Sequence, residues 1–323
     1  MLLPVYNADA YLAECLESLL SQTRSDFEIL AIDDASTDRS PSILAEYAKK
    51  DPRVRVLSRP TNGGLVEALN WGLREATTRI VIRQDADDRS RPDRVEKSLA
   101  YLARFPETIL LGTDITRMDE KGKPLGRQHF PSTDAEIRWQ LLFRNPFAHS
   151  TVVFDREKAL SMGGYSKSAL HAEDYDLWTR LAPLGKMANL PEPLCEYRVH
   201  GESISSRHVR EMETQSARIG ADWLGHFSGV DGEFKKVWEK FRRRLPLSPR
   251  ELEGLKVKLI ALLLQNSELS EYPKKKAESD LSWHLLSYLK RRKEMVLRPF
   301  TILSLLKSAP SLINWPGSRW RTN

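Results

Sequence analysis

Cysteine is scarce in this chain: its 323 residues hold two, Cys15 and Cys195, both in apolar surroundings. That excludes a disulfide framework and a cysteine-based zinc site, and it leaves two small buried hydrophobes suited to a reducing compartment. Long apolar runs are also lacking. The nearest approach to the roughly 18 residues of a spanning helix, residues 295–315, is broken by Arg298, Pro299, Lys307 and Pro310. The opening Met1-Leu2-Leu3-Pro4 has neither the basic start nor the apolar core of a secretory signal. Internal repeats and low-complexity tracts are absent. The expected location is cytoplasmic, soluble or peripheral at the inner face of a membrane.

What is present is an ordinary globular composition, 41% hydrophobic and 29% charged, with room for one large domain and an appendage or for two domains. The net charge of +6 conceals an asymmetry. Residues 207–323 carry 23 Lys and Arg against 13 Asp and Glu, whereas residues 1–206 carry 27 against 31. The basic part places Arg242-Arg243-Arg244, Lys274-Lys275-Lys276 and Lys290-Arg291-Arg292-Lys293 among helix-period residues such as Leu255, Leu259, Leu262 and Leu263. Two readings stay open, a solvated face on a small helical domain and basic amphipathic helices that lie on an anionic membrane or bind nucleic acid. Nucleic acid is not the expected partner. The charge shift puts a domain boundary at 206/207, with a basic α-helical region over 207–323.

Within 1–206, strand and helix patterns alternate. Apolar, β-branched runs predict strands over 2–5, 28–32, 54–57, 79–83, 109–111, 151–154 and around 194–198. Helical periodicity predicts helices over 10–21, 41–49, 65–76 and 92–105. Strands separated by helices of about a dozen residues imply right-handed crossovers and a mainly parallel sheet. Ligands of such sheets bind at the carboxyl ends of the strands.

Acidic residues gather at those ends. Asp85-Ala86-Asp87-Asp88 follows the run Ile80-Val81-Ile82, and three like charges there repel unless a cation joins them. A hard divalent ion, Mn²⁺ or Mg²⁺, takes oxygen ligands from carboxylates and from the phosphates of a nucleotide. A solvated acidic turn ahead of a helix is the competing reading. Asp33 and Asp34 end the second strand, where a carboxylate can accept the N–H groups of a base; Ser36, Thr37 and Asp38 read as helix caps. Acids also open a helix in Ala172-Glu173-Asp174-Tyr175-Asp176, where they act either as chemistry or as favourable charges on a helix N-terminus.

The segments PVYN, DDASTD, NGGLVEALNWGL, QDADD followed by RPDR, GGY, AEDYDLW and YRVHGESIS stand in the order and approximate spacing of the family 2 inverting glycosyltransferases with a GT-A fold, which residues 1–206 resemble. The resemblance implies an α/β, Rossmann-like nucleotide-sugar transferase with helices on both faces of the sheet, followed by a C-terminal helical extension. It implies a nucleotide-sugar donor, preferably a UDP-sugar, and a glycan or lipid-linked acceptor. Pro4, Val5 and Tyr6 would line the base and ribose pocket, Asp34 would contact the base, and Asn62 would lie beside the nucleotide. Gln84, Asp85 and Ala86 would meet the donor, with Asp85 at the ribose or a metal-bound water, and Asp87 would ligate the metal. His200 would be a further ligand, Arg198 would pair with phosphate, and Asp88 would cap the following segment. Asp174 would take the acceptor proton, with Glu173 as runner-up, and no covalent intermediate is needed. His149 would line the acceptor cleft or simply pack.

The first strand departs from the family's pattern, because only Met1, Leu2 and Leu3 precede Pro4. A central strand this short leaves its neighbours underpaired, and the expectation is a chain that starts inside a longer reading frame. Rival functions are a sugar-nucleotide nucleotidyltransferase, against which stands the lack of a glycine-rich basic loop after the first strand, and a non-catalytic nucleic-acid- or carbohydrate-binding module.

Overall fold

The computed structural model describes residues 1–201, 208–227, 229–269 and 271–291; residues 202–205 at the end of the last motif and the apolar stretch 295–315 lie outside these. The chain divides into two compact units, 1–219 and 220–323.

In the first unit, β1 (Leu2–Val5), β2 (Ile29–Asp33) and β3 (Val54–Ser58) pair in parallel in that order. β1 and β2 are buried along their whole length, as befits parallel strands covered on both faces. Helices α1 (Leu12–Leu20), α2 (Ser40–Lys50), α3 (Leu65–Glu75) and α4 (Arg94–Arg104) form where the periodicity places them. α1 turns Leu12, Cys15, Leu16 and Leu19 onto Leu3 and Val5. Successive strand residues point to opposite faces, so Leu2 faces α3. There a Cβ on Gly72 would stand 2.2 Å from Leu2 Cδ1, a proximity that only glycine permits.

β4 (Ile80–Ile82) extends the sheet, since Leu2 bridges Arg83 in parallel and Gln84 N–H donates to the Leu2 carbonyl at 3.1 Å. The remaining strands run in the order β4, β8 (Val153–Asp155), β6 (Thr108–Met118), β9 (Lys186–Arg198) and β5 (Arg89–Ser90), with β7 (Pro124–Gln128) folded back on β6. β6 and β9 are parallel, and the other pairs in this half are antiparallel. Helices α5 (Asp134–Gln140), α6 (Arg156–Ser161) and α7 (Glu173–Leu181) complete the layer. The α/β class and the parallel sheet agree with expectation. Because β1, β2 and β4 run the same way, Tyr6, Asp34 and Asp85 leave the sheet at one edge, and antiparallel β8 brings Ser150 there from the other direction.

The division falls at 219/220, beyond the boundary expected at 206/207. α8 (Val209–Leu224) spans it. Its first turns belong to the first unit because the His208 ring stacks on His171 with centroids 3.8 Å apart, and Arg218 Nη2 donates to the Ser168 carbonyl at 3.1 Å. A change in charge balance marks composition and not packing.

The second unit contains α9 (Gly232–Arg242), α10 (Pro249–Gln265) and α11 (Lys274–Arg291). α10 starts at a capping box in which Ser248 and Glu251 satisfy each other's backbone N–H groups. Trp238, Phe241, Leu255, Leu259, Leu262, Leu281 and Leu285 are buried. Among the described residues no helix is long and apolar enough to cross a membrane.

Candidate active site

The acidic turn after β4 forms a compact donor set. Asp85, Asp87 and Asp88 each offer an oxygen within 4.8 Å of the others. Hard oxygen donors in this number suit a divalent cation. His200 adds nitrogen beside them, its Nε2 2.9 Å from Asp87 Oδ2, so Asp85, Asp87 and His200 come together as expected. Asp88 was expected to cap the following segment, and its hydrogen-bond partner lies elsewhere. It is buried, accepts the Arg198 backbone N–H at 2.7 Å through Oδ1, and has Oδ2 without a hydrogen-bond partner. Burial, then Asp87 and Asp85, push its carboxyl well above the usual range.

Arg198 corrects the phosphate assignment. Its side chain is 1% exposed, with Nε on the Asp87 carbonyl at 2.8 Å, Nη1 on the Glu120 carbonyl at 2.8 Å and Nη2 on Glu14 at 2.7 Å. The guanidinium also lies 4.3 Å from the Tyr11 ring centroid. A cation so committed fastens the acidic turn to β9 and is not free for a diphosphate.

Gln84 is also corrected. It is fully buried, and its Oε1 accepts from Ser90 Oγ at 2.9 Å and from Arg94 Nη1. A buried amide must be satisfied by its neighbours, and here it holds Arg94 beneath the sheet edge. Ala86 lies in the core with Leu3 and Val5, so it supports the turn from below.

On the nucleotide side, Pro4 and Val5 are buried under the edge and Tyr6 is 53% exposed above it. Asp34 is buried, and its carboxylate accepts Gly63 N–H at 3.0 Å and Gly64 N–H at 2.7 Å while pairing with Arg59 Nε at 3.1 Å. Asn62 Nδ2 donates to the Asp34 carbonyl at 3.2 Å. Asp34 therefore holds the Asn62-Gly63-Gly64 loop against β2. Gly64, at φ +83, takes the left-handed backbone that favours glycine.

α7 supplies the other carboxylates. Glu173 is buried and Asp174 half-buried. Asp174 Oδ2 accepts from Asn145 Nδ2 at 2.6 Å and Oδ1 from the Tyr175 N–H. Burial pushes Asp174 up to about 6, with the hydrogen bonds from Tyr175 and Asn145 opposing it. Burial, then the neighbouring Asp174, pushes Glu173 up to about 7. Asp176 pairs with Arg180, whose Nη2 also donates to the Gly164 carbonyl at 2.8 Å, a structural clamp on the Gly163-Gly164 turn. His149 packs edge-on to Trp178 with its Nε2 3.0 Å from the Tyr165 hydroxyl, and burial keeps it neutral.

Sequence reasoning missed Arg83. It is 1% exposed, ion-paired to Asp85, and within electrostatic reach of Asp174, Glu173 and Tyr165. The position just before the acidic turn was its only signal, and arginine at a strand end reads by default as solvated.

Residues 1–165 match the family model described as Glycosyl transferase family 2. The amylovoran biosynthesis glycosyltransferase AmsE of Erwinia amylovora is 35% identical over 211 residues, 64% of this chain and 78% of that protein. The O-antigen biosynthesis glycosyltransferase WbnJ of Escherichia coli is 32% identical over 220 residues, 67% and 85% respectively. Among solved structures, S. aureus TarS 1-349 in complex with UDP-GlcNAc aligns with a TM-score of 0.60 at 18% identity, covering 96% of this chain and 90% of that one. The mannosyltransferase PcManGT from Pyrobaculum calidifontis, in complex with GDP-Man and Mn²⁺, aligns at 0.51 and 19%, covering 97% and 86%. At these identities the structural likeness speaks for the fold alone. With strand-end carboxylates on a GT-A scaffold and a family match over half its length, the chain belongs to glycosyltransferase family 2 and is a sugar-transferring enzyme.

Proposed function

We propose that this glycosyltransferase moves a sugar from a UDP-sugar to a hydroxyl of a glycan or lipid-linked acceptor in bacterial polysaccharide synthesis, with inversion at the anomeric carbon. The observation that supports the reading is the compact acidic donor set after β4, Asp85 and Asp87 with His200 beside them, together with the Asp174 carboxylate held by Asn145 at the start of α7. The polysaccharide setting rests on the printed roles of AmsE and WbnJ, and uridine on the TarS complex.

Asp85, Asp87 and His200 would hold a divalent ion, Mn²⁺ or Mg²⁺, which when bound neutralises charge on the leaving diphosphate. Pro4, Val5, Tyr6 and the Asn62 loop shaped by Asp34 would enclose the nucleoside. Asp174 takes the acceptor hydroxyl proton as the acceptor oxygen attacks the anomeric carbon and the bond to the diphosphate oxygen breaks, releasing UDP. An ordinary aspartate is a weak base at neutral pH; burial raises Asp174 toward the working pH while Asn145 keeps it ionisable. Glu173, buried behind it, serves as a neighbouring charge.

Asp87, Asp85 and Asp174 thus divide leaving-group and nucleophile work. The basic second unit, with Val257, Leu264 and Trp283 exposed, fits peripheral contact with anionic lipid. Its test is sedimentation with anionic vesicles at low salt, where an unbound protein sinks the membrane part. The test of the enzymatic reading is a thermal-shift and UDP-release panel of UDP-, GDP- and dTDP-sugars with and without Mn²⁺. Metal-dependent stabilisation by UDP-sugars is expected, and a panel without response would overturn it.

A further inference from the structure

The turn that runs into α7 takes an unfavourable shape. His171 has φ +65, the left-handed backbone that residues with a Cβ rarely adopt, and strain of this kind persists only where the surroundings over-determine it. Within the turn the bonds are local: Ala169 N–H donates to the Ser166 carbonyl at 3.2 Å and Ala172 N–H to the Ala169 carbonyl at 2.8 Å. Leu170 is 53% exposed, so its apolar bulk does not anchor the chain.

Ties from outside come from α3, where Glu67 pairs with Lys167, and from α8 and the residue before it. The His208 ring lies flat on the His171 ring, with planes 12° apart and centroids at 3.8 Å. Farther along α8, Arg218 Nη2 donates to the Ser168 carbonyl at 3.1 Å. Burial, then His208, holds His171 below its usual range, with Glu211 opposing, so His171 packs as an uncharged ring at neutral pH. Ala172 follows directly, and its carbonyl accepts the Asp176 N–H at 3.0 Å across the first turn of α7, with Glu173 and Asp174 between them. The backbone of His171 thus sets the direction in which α7 starts, and the stack sets the backbone of His171.

We infer that His208 is a positioning residue: by stacking on His171 it fixes the turn that delivers Asp174 to the acceptor hydroxyl. The inference rests on the reading of Asp174 as the base. A displacement of about 1 Å in a reacting group costs on the order of 10²-fold in rate. The effect belongs in turnover and not in nucleotide affinity, because the turn runs into α7 and not into the Asn62 loop or the acidic turn after β4. One flat ring can stand in for another, so phenylalanine at position 208 keeps what alanine loses.

The experiment compares wild type, His208→Ala, His208→Phe, Asp174→Asn and the double variant His208→Ala/Asp174→Asn. UDP plus Mn²⁺ is the binding probe, UDP released from the UDP-sugar panel the turnover probe, and amide hydrogen exchange over residues 168–176 the probe of the turn. Thermal melts confine the comparison to folded protein. His208→Ala is expected to lower kcat by about 10- to 100-fold, with KM and UDP affinity within about threefold, and to speed exchange in the turn by about tenfold. His208→Phe is expected to stay within about threefold of wild type in each readout. In the Asp174→Asn background His208→Ala is expected to cost under about threefold, since the group it positions is gone. An unchanged kcat or unchanged exchange in His208→Ala, a full loss in the Asp174→Asn background, or a His208→Phe as slow as His208→Ala would overturn the inference while leaving the glycosyltransferase reading intact. A wild-type kcat in Asp174→Asn removes the base assignment, and a wild type that releases UDP from no member of the panel removes the donor reading; the inference falls with either. If His208→Ala melts early, Arg218→Gln, an exposed change that withdraws the second tie from α8, decides: a lowered kcat at unchanged UDP affinity supports positioning, and wild-type kcat contradicts it.

Discussion

Asn145 Nδ2 donates to Asp174 Oδ2 at 2.6 Å, joining the segment after α5 to the first turn of α7. The bond opposes the burial that raises the carboxyl, because a donor to the ionised form favours ionisation. Burial thus raises the carboxyl proposed as the acceptor-side base, and the bond from Asn145 orients it.

Transfer should require ionised Asp174, so activity rises with pH along an acid limb near 6. Asn145→Ala removes a donor to the charged form and should move that limb upward by about one unit. At pH 6.5 the variant is expected to be several-fold slower and at pH 8.5 nearly normal. A pH–kcat profile checks it, and equal deficits at both pH values would contradict it.

The same shift bears on stability. A carboxyl raised from 3.8 to about 6 on folding contributes stability that is fully present below the unfolded value and lost as pH rises through about 6. Asp174→Asn should therefore stabilise the fold at pH 8 by about 1–3 kcal/mol and have little effect at pH 4. Denaturant midpoints at the two pH values measure this difference.

His200→Ala removes the nitrogen beside Asp87 and should weaken Mn²⁺-dependent UDP binding by about 10- to 100-fold. Asp87→Asn should abolish the metal dependence altogether. Calorimetric titration of UDP into wild type and both variants, with Mn²⁺ and with EDTA, separates the two, and identical UDP affinity in all six cases would exclude a metal held by these residues.

Arg198→Ala should destabilise the first unit by about 3 kcal/mol, since it strips bonds from the Asp87 and Glu120 carbonyls and from Glu14. Chemical denaturation reads this directly. A loss of nucleotide affinity with unchanged stability would restore the phosphate role that the structure argues against.

Much of the parallel half was readable in the chain. β1 falls on residues 2–5 as expected, and α3 begins at Leu65 as expected, because short apolar runs between polar turns admit few alternatives. The second half was less readable. β6 extends to Met118 where a strand ending at 111 was expected, since its polar half is held by pairing to β9, a partner far away in sequence. β7, with Pro124 and Gly126, carries no strand signal and exists through its pairing to β6. The acids of the site stood out because clustered carboxylates need explanation. Arg83, Arg94 and Arg198 did not, because nothing in a linear pattern distinguishes a buried guanidinium from a solvated one. Gln84 and Arg198, expected at the donor, illustrate the same point: both polar groups lie in the motif, but the partners they have are protein atoms.

The most direct measurement is UDP binding and sugar transfer in Asp174→Asn, side by side with wild type and in the presence of Mn²⁺. Retained UDP affinity with transfer reduced by about 10³-fold or more is expected of a lost general base. Transfer at the wild-type rate would contradict the assignment of the acceptor-side base, and with it the division of labour between the two acidic centres.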